Sequence, residues 1–195
     1  VIDLECGSTT NNKERQQQVD FSVGYFQARV RLLVHHSSGI KDYADLRDKV
    51  IVTTASTTSA RYLQQHQARL GFKEIILAKD HMEAFDVLQQ GMADAFMMDD
   101  ILLAGERSKA QHPEEWIIIG TAPMYEIYAC MMTKGDVQFK NLVDSTIKKI
   151  YQSGEVNDIY QKWFLSPIPP KQANLRLAMP PVLKSLIQAP HDSDQ

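Results

Sequence analysis

Near the start of the chain, Gly7-Ser8-Thr9-Thr10-Asn11-Asn12-Lys13-Glu14-Arg15 combines a small-residue turn, a run of hydroxyl and amide side chains and one arginine. A guanidinium fork pairs bidentately with a carboxylate, and neighbouring Ser/Thr groups and turn amides supply further hydrogen bonds. An ordinary polar loop with a surface arginine gives the same pattern, so the run needs a counterpart. One is Thr53-Thr54-Ala55-Ser56-Thr57-Thr58-Ser59, which lies between a strand pattern and a helix pattern. Helix N-termini carry free amides and partial positive charge and favour anions. One hydroxyl is enough for an N-cap, and six hydroxyl residues in seven positions exceed that need.

A third group is Phe96-Met97-Met98-Asp99-Asp100. Carboxylates at the C-terminal end of a parallel strand stand where open α/β sheets bind ligands. One aspartate could cap the next helix while the other faces a ligand ammonium; both could equally just begin the helix. His81 follows another strand at the same sheet edge, and Asp80 is the better cap there, which leaves His81 either a donor to a second carboxylate or, as is more common for a lone histidine, a structural residue. Two anion sites and one carboxylate for a cation complement an α-amino acid. Enzyme readings are poorer. Cys6, His81 and Asp99 make a triad only on paper, since Cys6 sits in a strand-like alternation. No phosphate-loop, dinucleotide-loop or nucleophile-elbow motif occurs.

These groups need a scaffold. The chain has 195 residues, 44% hydrophobic and 23% charged, with a net charge of -3. That balance carries no footprint for nucleic acid or an anionic membrane, and no apolar run approaches the roughly 20 residues of a membrane span. Phe21 to Tyr25 and Val30 to Val34 read as strands, followed by a polar break at His35–Gly39. From Lys49 strands alternate with helices: Val50–Thr53, Ser59–Leu70 closed by Gly71, Glu74–Ala78, His81–Gln90 closed by Gly91, Ala95–Met98, Asp100–Ala110 and Trp116–Ile119. This predicts a parallel α/β sheet.

Ile127–Thr133 reads as one more strand. Two amphipathic helices follow, the first burying Phe139, Leu142, Val143, Ile147, Ile150 and Tyr151 and ending at Gly154. The second buries Val156, Ile159, Tyr160, Trp163 and Phe164 before Pro167, Pro169 and Pro170. The remainder reads as a proline-punctuated tail with a short apolar stretch and a frayed polar end, His191-Asp192-Ser193-Asp194-Gln195, which resembles a natural terminus. The α/β block reads as a small domain inserted into another unit. Val1-Ile2-Asp3-Leu4-Glu5-Cys6 alternates like a strand with no signal sequence, so the start reads as the interior of a larger gene product. Cys6 and Cys130 fit either one disulfide or two buried small hydrophobes, and no metal-ligand spacing is present.

The runs Glu5–Asn12, Glu14-Arg15 and Phe21-Ser22 resemble the periplasmic glutamate/aspartate-binding proteins of polar amino acid ABC importers, solute-binding protein family 3. So do Asp45-Leu46 with Lys49-Val50, Thr57-Thr58, Ala78–His81 and Ala95–Asp100. Leu102–Arg107 and Lys162-Trp163-Phe164 with Pro167–Pro170 complete the match, which runs from Glu5 to about Pro190.

The resemblance implies a type 2 periplasmic-binding-protein fold, α/β, with two lobes joined by two hinge strands and closing on the ligand. Residues 1–34 and 128–195 would form a partial lobe 1 with the hinge strands, and 35–127 lobe 2. It implies an N-terminally truncated, monomeric, periplasmic protein that binds glutamate or aspartate and delivers it to a membrane permease, without catalysis, cofactor, metal or nucleic acid. Arg15 would hold the α-carboxylate with Thr10, Thr57 and Thr58, and Ser8 and Asp99 the ammonium. His81 would reach the side-chain carboxylate, with Thr54 a weaker contact. Cys6 and Cys130, on strands expected near the hinge, would pair.

Two departures stand out. The family's further arginine and serine contacts come from a part of lobe 1 that precedes this sequence. Ala55-Ser56 also replaces a glycine common before the Thr pair, which alters backbone approach. The expected consequences are weak or absent binding and an exposed apolar face. The alternatives are a cyclohexadienyl-dehydratase-like enzyme on the same fold and the sensor module of a membrane receptor.

Overall fold

The computed structural model describes residues 2–169 and 172–191. Val1, Pro170 and the polar ending from Asp192 lie outside the described residues. The chain divides into two units, Val1–Ala28 with Glu126–Gln195, and Arg29–Tyr125.

The second unit is built on a sheet of strands β3 (Phe26–His35), β4 (Val50–Thr54), β5 (Glu74–Ala78), β6 (Ala95–Asp99) and β7 (Trp116–Ile119) in the order β5-β4-β6-β3-β7, with β8 (Tyr125–Tyr128) beside β3. β4 runs parallel to β5 and β6, as the alternating pattern predicts. The sheet is nevertheless mixed, because β3 inserts antiparallel between β6 and β7. Its sequence gives the reason: Val30, Leu32, Leu33 and Val34 are all fully buried, so β3 has two apolar faces and belongs at the centre of a sheet.

Side chains sort by the period of two. Val30, Leu32, Val34, Ile51 and Met97 enter one core, under α1 (Thr58–Leu70), which contributes Leu63. Leu33, Val52, Phe96 and Met98 enter the other, under α2 (His81–Gln89) and α3 (Asp100–Arg107), which contribute Phe85, Leu88 and Leu103. α3 stops at Arg107, short of the expected Ala110, and Ser108 Oγ donates back to the Gly105 carbonyl at 2.7 Å. Because Val30 to Val34 lie in these cores, the unit begins at Arg29 and ends at Tyr125, earlier on both sides than the expected 35 and 127.

The first unit holds a three-stranded antiparallel sheet, β1 (Leu4–Glu5), β9 (Met131–Thr133) and β2 (Val19–Phe21), in the order β1-β9-β2. A disulfide joins Cys6 to Cys130. The expected strand Phe21–Tyr25 is replaced by β2 and an irregular turn. Side chains satisfy that turn: Asp144 Oδ1 accepts from the Val23 amide at 2.8 Å, and Lys140 Nζ donates to the Phe21 carbonyl at 2.7 Å. Gly24 is required there, since a Cβ would lie 2.5 Å from Ile127 Cγ2. The expected strand Ile127–Thr133 is two strands, because at Ala129-Cys130 the backbone turns to bond Thr9 and Ser22.

Helices α4 (Val137–Ser153) and α5 (Glu155–Phe164) meet at Gly154 as expected. Part of their expected buried face is open: Leu142, Ile159 and Trp163 are 61%, 41% and 45% exposed. The supposed tail contains α6 (Pro181–Gln188), whose Leu183 and Leu186 pack with Tyr160, Phe26 and Phe164. Pro181 there is a helix start, its missing N–H costing nothing at the first position. Among the described residues no helix is long and apolar enough to cross a membrane.

Candidate functional site

In the first unit the opening run docks along β8. Thr10 bridges to Tyr128 antiparallel, the Asn11 amide donates to the Ile127 carbonyl at 2.9 Å, and the Ala129 amide to the Thr9 carbonyl at 3.3 Å. The run then closes into a 3-10 turn, Arg15–Gln17, with Asn12 Oδ1 accepting from the Arg15 amide at 2.9 Å. This fixes Arg15 at its base. Its guanidinium Nη1 donates to the Thr10 carbonyl at 2.9 Å, and no described carboxylate pairs with it. A half-buried guanidinium aimed by a backbone carbonyl keeps most of its donor fork for an external acid. The same bond brings Arg15 and Thr10 together; Thr10 is buried and Ser8 is exposed. Tyr25 anchors the turn before them by donating its phenol to the Gly7 carbonyl, and burial pushes that phenol's pKa well up.

In the second unit the hydroxyl run divides between structure and availability. Thr53 Oγ1 donates to the Met97 carbonyl at 2.8 Å, inside the sheet. Thr57 is the N-cap of α1: it accepts from the Ala60 amide at 3.1 Å and donates to the Thr54 carbonyl at 2.7 Å. Its hydroxyl is therefore committed, and what Thr57 and Thr58 offer a ligand is the helix N-terminus and the Thr58 hydroxyl. Ser56 takes a left-handed φ of 61°, a backbone conformation that favours glycine.

Thr54, buried at the end of β4, lies with Oγ1 2.6 Å from His81 Nδ1. Asp80 caps α2 as expected, accepting from the Glu83 amide at 2.8 Å, and that frees His81 from capping. Burial lowers the His81 pKa; Glu106 and Asp80 oppose that shift and Lys109 adds to it. Glu106 was not visible as a site residue in the sequence. It is buried on α3 and accepts from Lys109 Nζ at 2.7 Å, a spacing that reads as an ordinary helix-face pair.

Asp99 is 3% exposed and occupies the cap position of α3 without a side-chain cap bond. Asp100 does not cap either. Its carboxylate takes Arg29 Nε at 2.8 Å and the Arg29 amide at 3.1 Å, a partner that no local motif announces. β4, β5 and β6 end at one edge of the sheet, with Thr54 opposite Ala78, which sets Thr54, His81 and Asp99 at their C-terminal ends. Among the described residues no cluster of His, Cys, Asp and Glu could hold a metal.

Residues 1–166 match the family model of bacterial extracellular solute-binding proteins, family 3. The chain is 54% identical, over 98% of its length, to the L-glutamate/L-aspartate-binding protein of Pseudomonas aeruginosa. It is 46% identical over the same share to the glutamate/aspartate import solute-binding protein of Escherichia coli. It spans 64% of the length of each. Among solved structures it resembles an ancestral arginine-binding protein bound to arginine, at 27% identity with a TM-score of 0.75, covering 84% of this chain and 72% of that one.

Proposed function

Because this chain belongs to family 3 of the bacterial extracellular solute-binding proteins, with their type 2 periplasmic-binding-protein fold, we propose that it binds an acidic L-amino acid, glutamate or aspartate, and hands it to an ABC importer. The observation that carries this reading is the 54% identity over 98% of the chain to a protein named for those two ligands. The assignment of groups follows their chemistry. In the first unit Arg15 and Thr10 suit the α-carboxylate, and in the second unit the α1 N-terminus and the Thr58 hydroxyl suit a carboxylate as well. In the second unit Asp99 suits the ammonium and His81 donates to the side-chain carboxylate, and in the first unit Ser8 offers the ammonium an acceptor.

The protein works as a monomer in the periplasm, meets a membrane permease, and performs no catalysis. The Cys6–Cys130 disulfide supports that compartment, since such bonds persist where the surroundings are oxidising. Replacing Arg15 tests the reading at its strongest contact. Arg15→Ala in the full-length gene product weakens glutamate binding by roughly 2–5 kcal/mol, the loss when one partner of a buried charge pair is truncated. Calorimetry showing unchanged affinity would remove Arg15 from the site.

A further inference from the structure

We propose that Thr54 is a positioning residue: its hydroxyl donates to His81 Nδ1 and holds the ring as the neutral tautomer protonated at Nε2. The pair sits wholly within the second unit, and the 2.6 Å separation between Oγ1 and Nδ1 is that of a firm hydrogen bond. Such a bond runs in one of two directions. If Nδ1 carried the proton, the Thr54 oxygen would accept and its own hydrogen would need another acceptor. Thr54 is 6% exposed, and its hydroxyl has no other partner among the described residues. A buried donor left unmade carries the full penalty of its desolvation. In the opposite direction both partners of this bond are satisfied: the hydroxyl donates, the Nδ1 lone pair accepts, and the ring hydrogen stands on Nε2.

The surroundings reinforce this direction. An imidazolium must hold a proton on Nδ1 as well, so charging the ring would strand the Thr54 hydrogen in addition to desolvating a cation. The charged groups acting on the ring are Glu106 on α3, Asp80 at the cap of α2, and Lys109 after α3. The two carboxylates favour the cation, while burial and Lys109 disfavour it. Thr54 is itself held, because its carbonyl accepts from the Thr57 hydroxyl that caps α1. The cap, the strand end and the histidine thus form one relay of side-chain bonds. Its product is an Nε2–H donor of fixed direction and no charge.

For the ligand this means a hydrogen bond to an acceptor oxygen rather than an ion pair. That deepens the proposed role of His81 and rests on it. The tautomer itself needs no ligand, so the two claims are tested apart. In the chain labelled with 15N-histidine, two-bond proton–nitrogen correlation above the ordinary histidine pKa reads each ring nitrogen, with His81→Gln assigning the signals. The expected pattern is an unprotonated Nδ1 and a protonated Nε2; a protonated Nδ1, or an average of both tautomers, would overturn the proposal. Thr54→Val removes the donor and shifts the ring toward a mixture, and Thr54→Ser restores the original pattern. An unshifted ring in Thr54→Val would equally count against it.

Glutamate titration of the full-length product completes the test. Thr54→Val is expected to lose roughly twofold in affinity, because a ring divided between tautomers presents the Nε2–H donor only part of the time. The expected ring pattern with unchanged affinity would reject the ligand role of His81 and leave the tautomer standing. Lost affinity with the opposite tautomer would reject the tautomer and keep the ligand role.

Discussion

At the residue scale, hydroxyl and acidic side chains carry two kinds of duty, and the structure separates them. Thr53 and Thr57 close backbone bonds, whereas Thr54 and Thr58 are free of that task. Ser56 serves neither. It is exposed, and it holds a left-handed backbone that an L-residue adopts at a cost. Ser56→Gly therefore stabilises the second unit by about 0.5–1 kcal/mol, the relief of left-handed strain less the greater unfolded freedom of glycine. Urea unfolding measures it, and a loss of stability would show that the Ser56 side chain has a structural role. Asp80 could be read as a cap from its neighbours alone, because capping is a contact over three residues. The fate of Asp100 could not, since Arg29 lies 71 positions away.

At the element scale, what was legible in the sequence is what local rules determine. α1, α2, α4 and α5 appear where periodicity and caps place them, with Gly71 and Gly154 in the left-handed region at their ends. β4, β5, β6 and β7 lie within a residue of their apolar runs. The position of β3 was not legible, because its neighbours β6 and β7 come much later in the chain and an apolar run carries no sign of strand direction. The turns at Ser22–Tyr25 and Ala129-Cys130 were hidden for a related reason: side chains of Asp144, Lys140 and Ser22 replace the ladder there. Pro180-Pro181 misled in the opposite sense, since proline both stops helices and starts them.

At the scale of the whole molecule, the chain runs from the first unit to the second within β3 and back within β8, so each unit has its own cores and its own share of the candidate groups. The first unit is assembled from segments far apart in sequence, and the Cys6–Cys130 disulfide closes a separation of 124 residues between them. Reducing it lowers the unfolding free energy by roughly 2–5 kcal/mol, as expected for removal of a native disulfide closing a long loop. Urea unfolding with and without reductant checks this, and coincident midpoints would show that the sheet β1-β9-β2 holds without the bond.

The central claim is the proposed one, that the full-length gene product is a receptor for acidic amino acids. Calorimetric titration of that product with glutamate, aspartate, glutamine and a neutral amino acid tests it most directly. Saturable binding of glutamate and aspartate, tighter than binding of glutamine and of the neutral ligand, is the expected result. Preference for glutamine or for the neutral ligand, or no heat with either acidic amino acid, would contradict it.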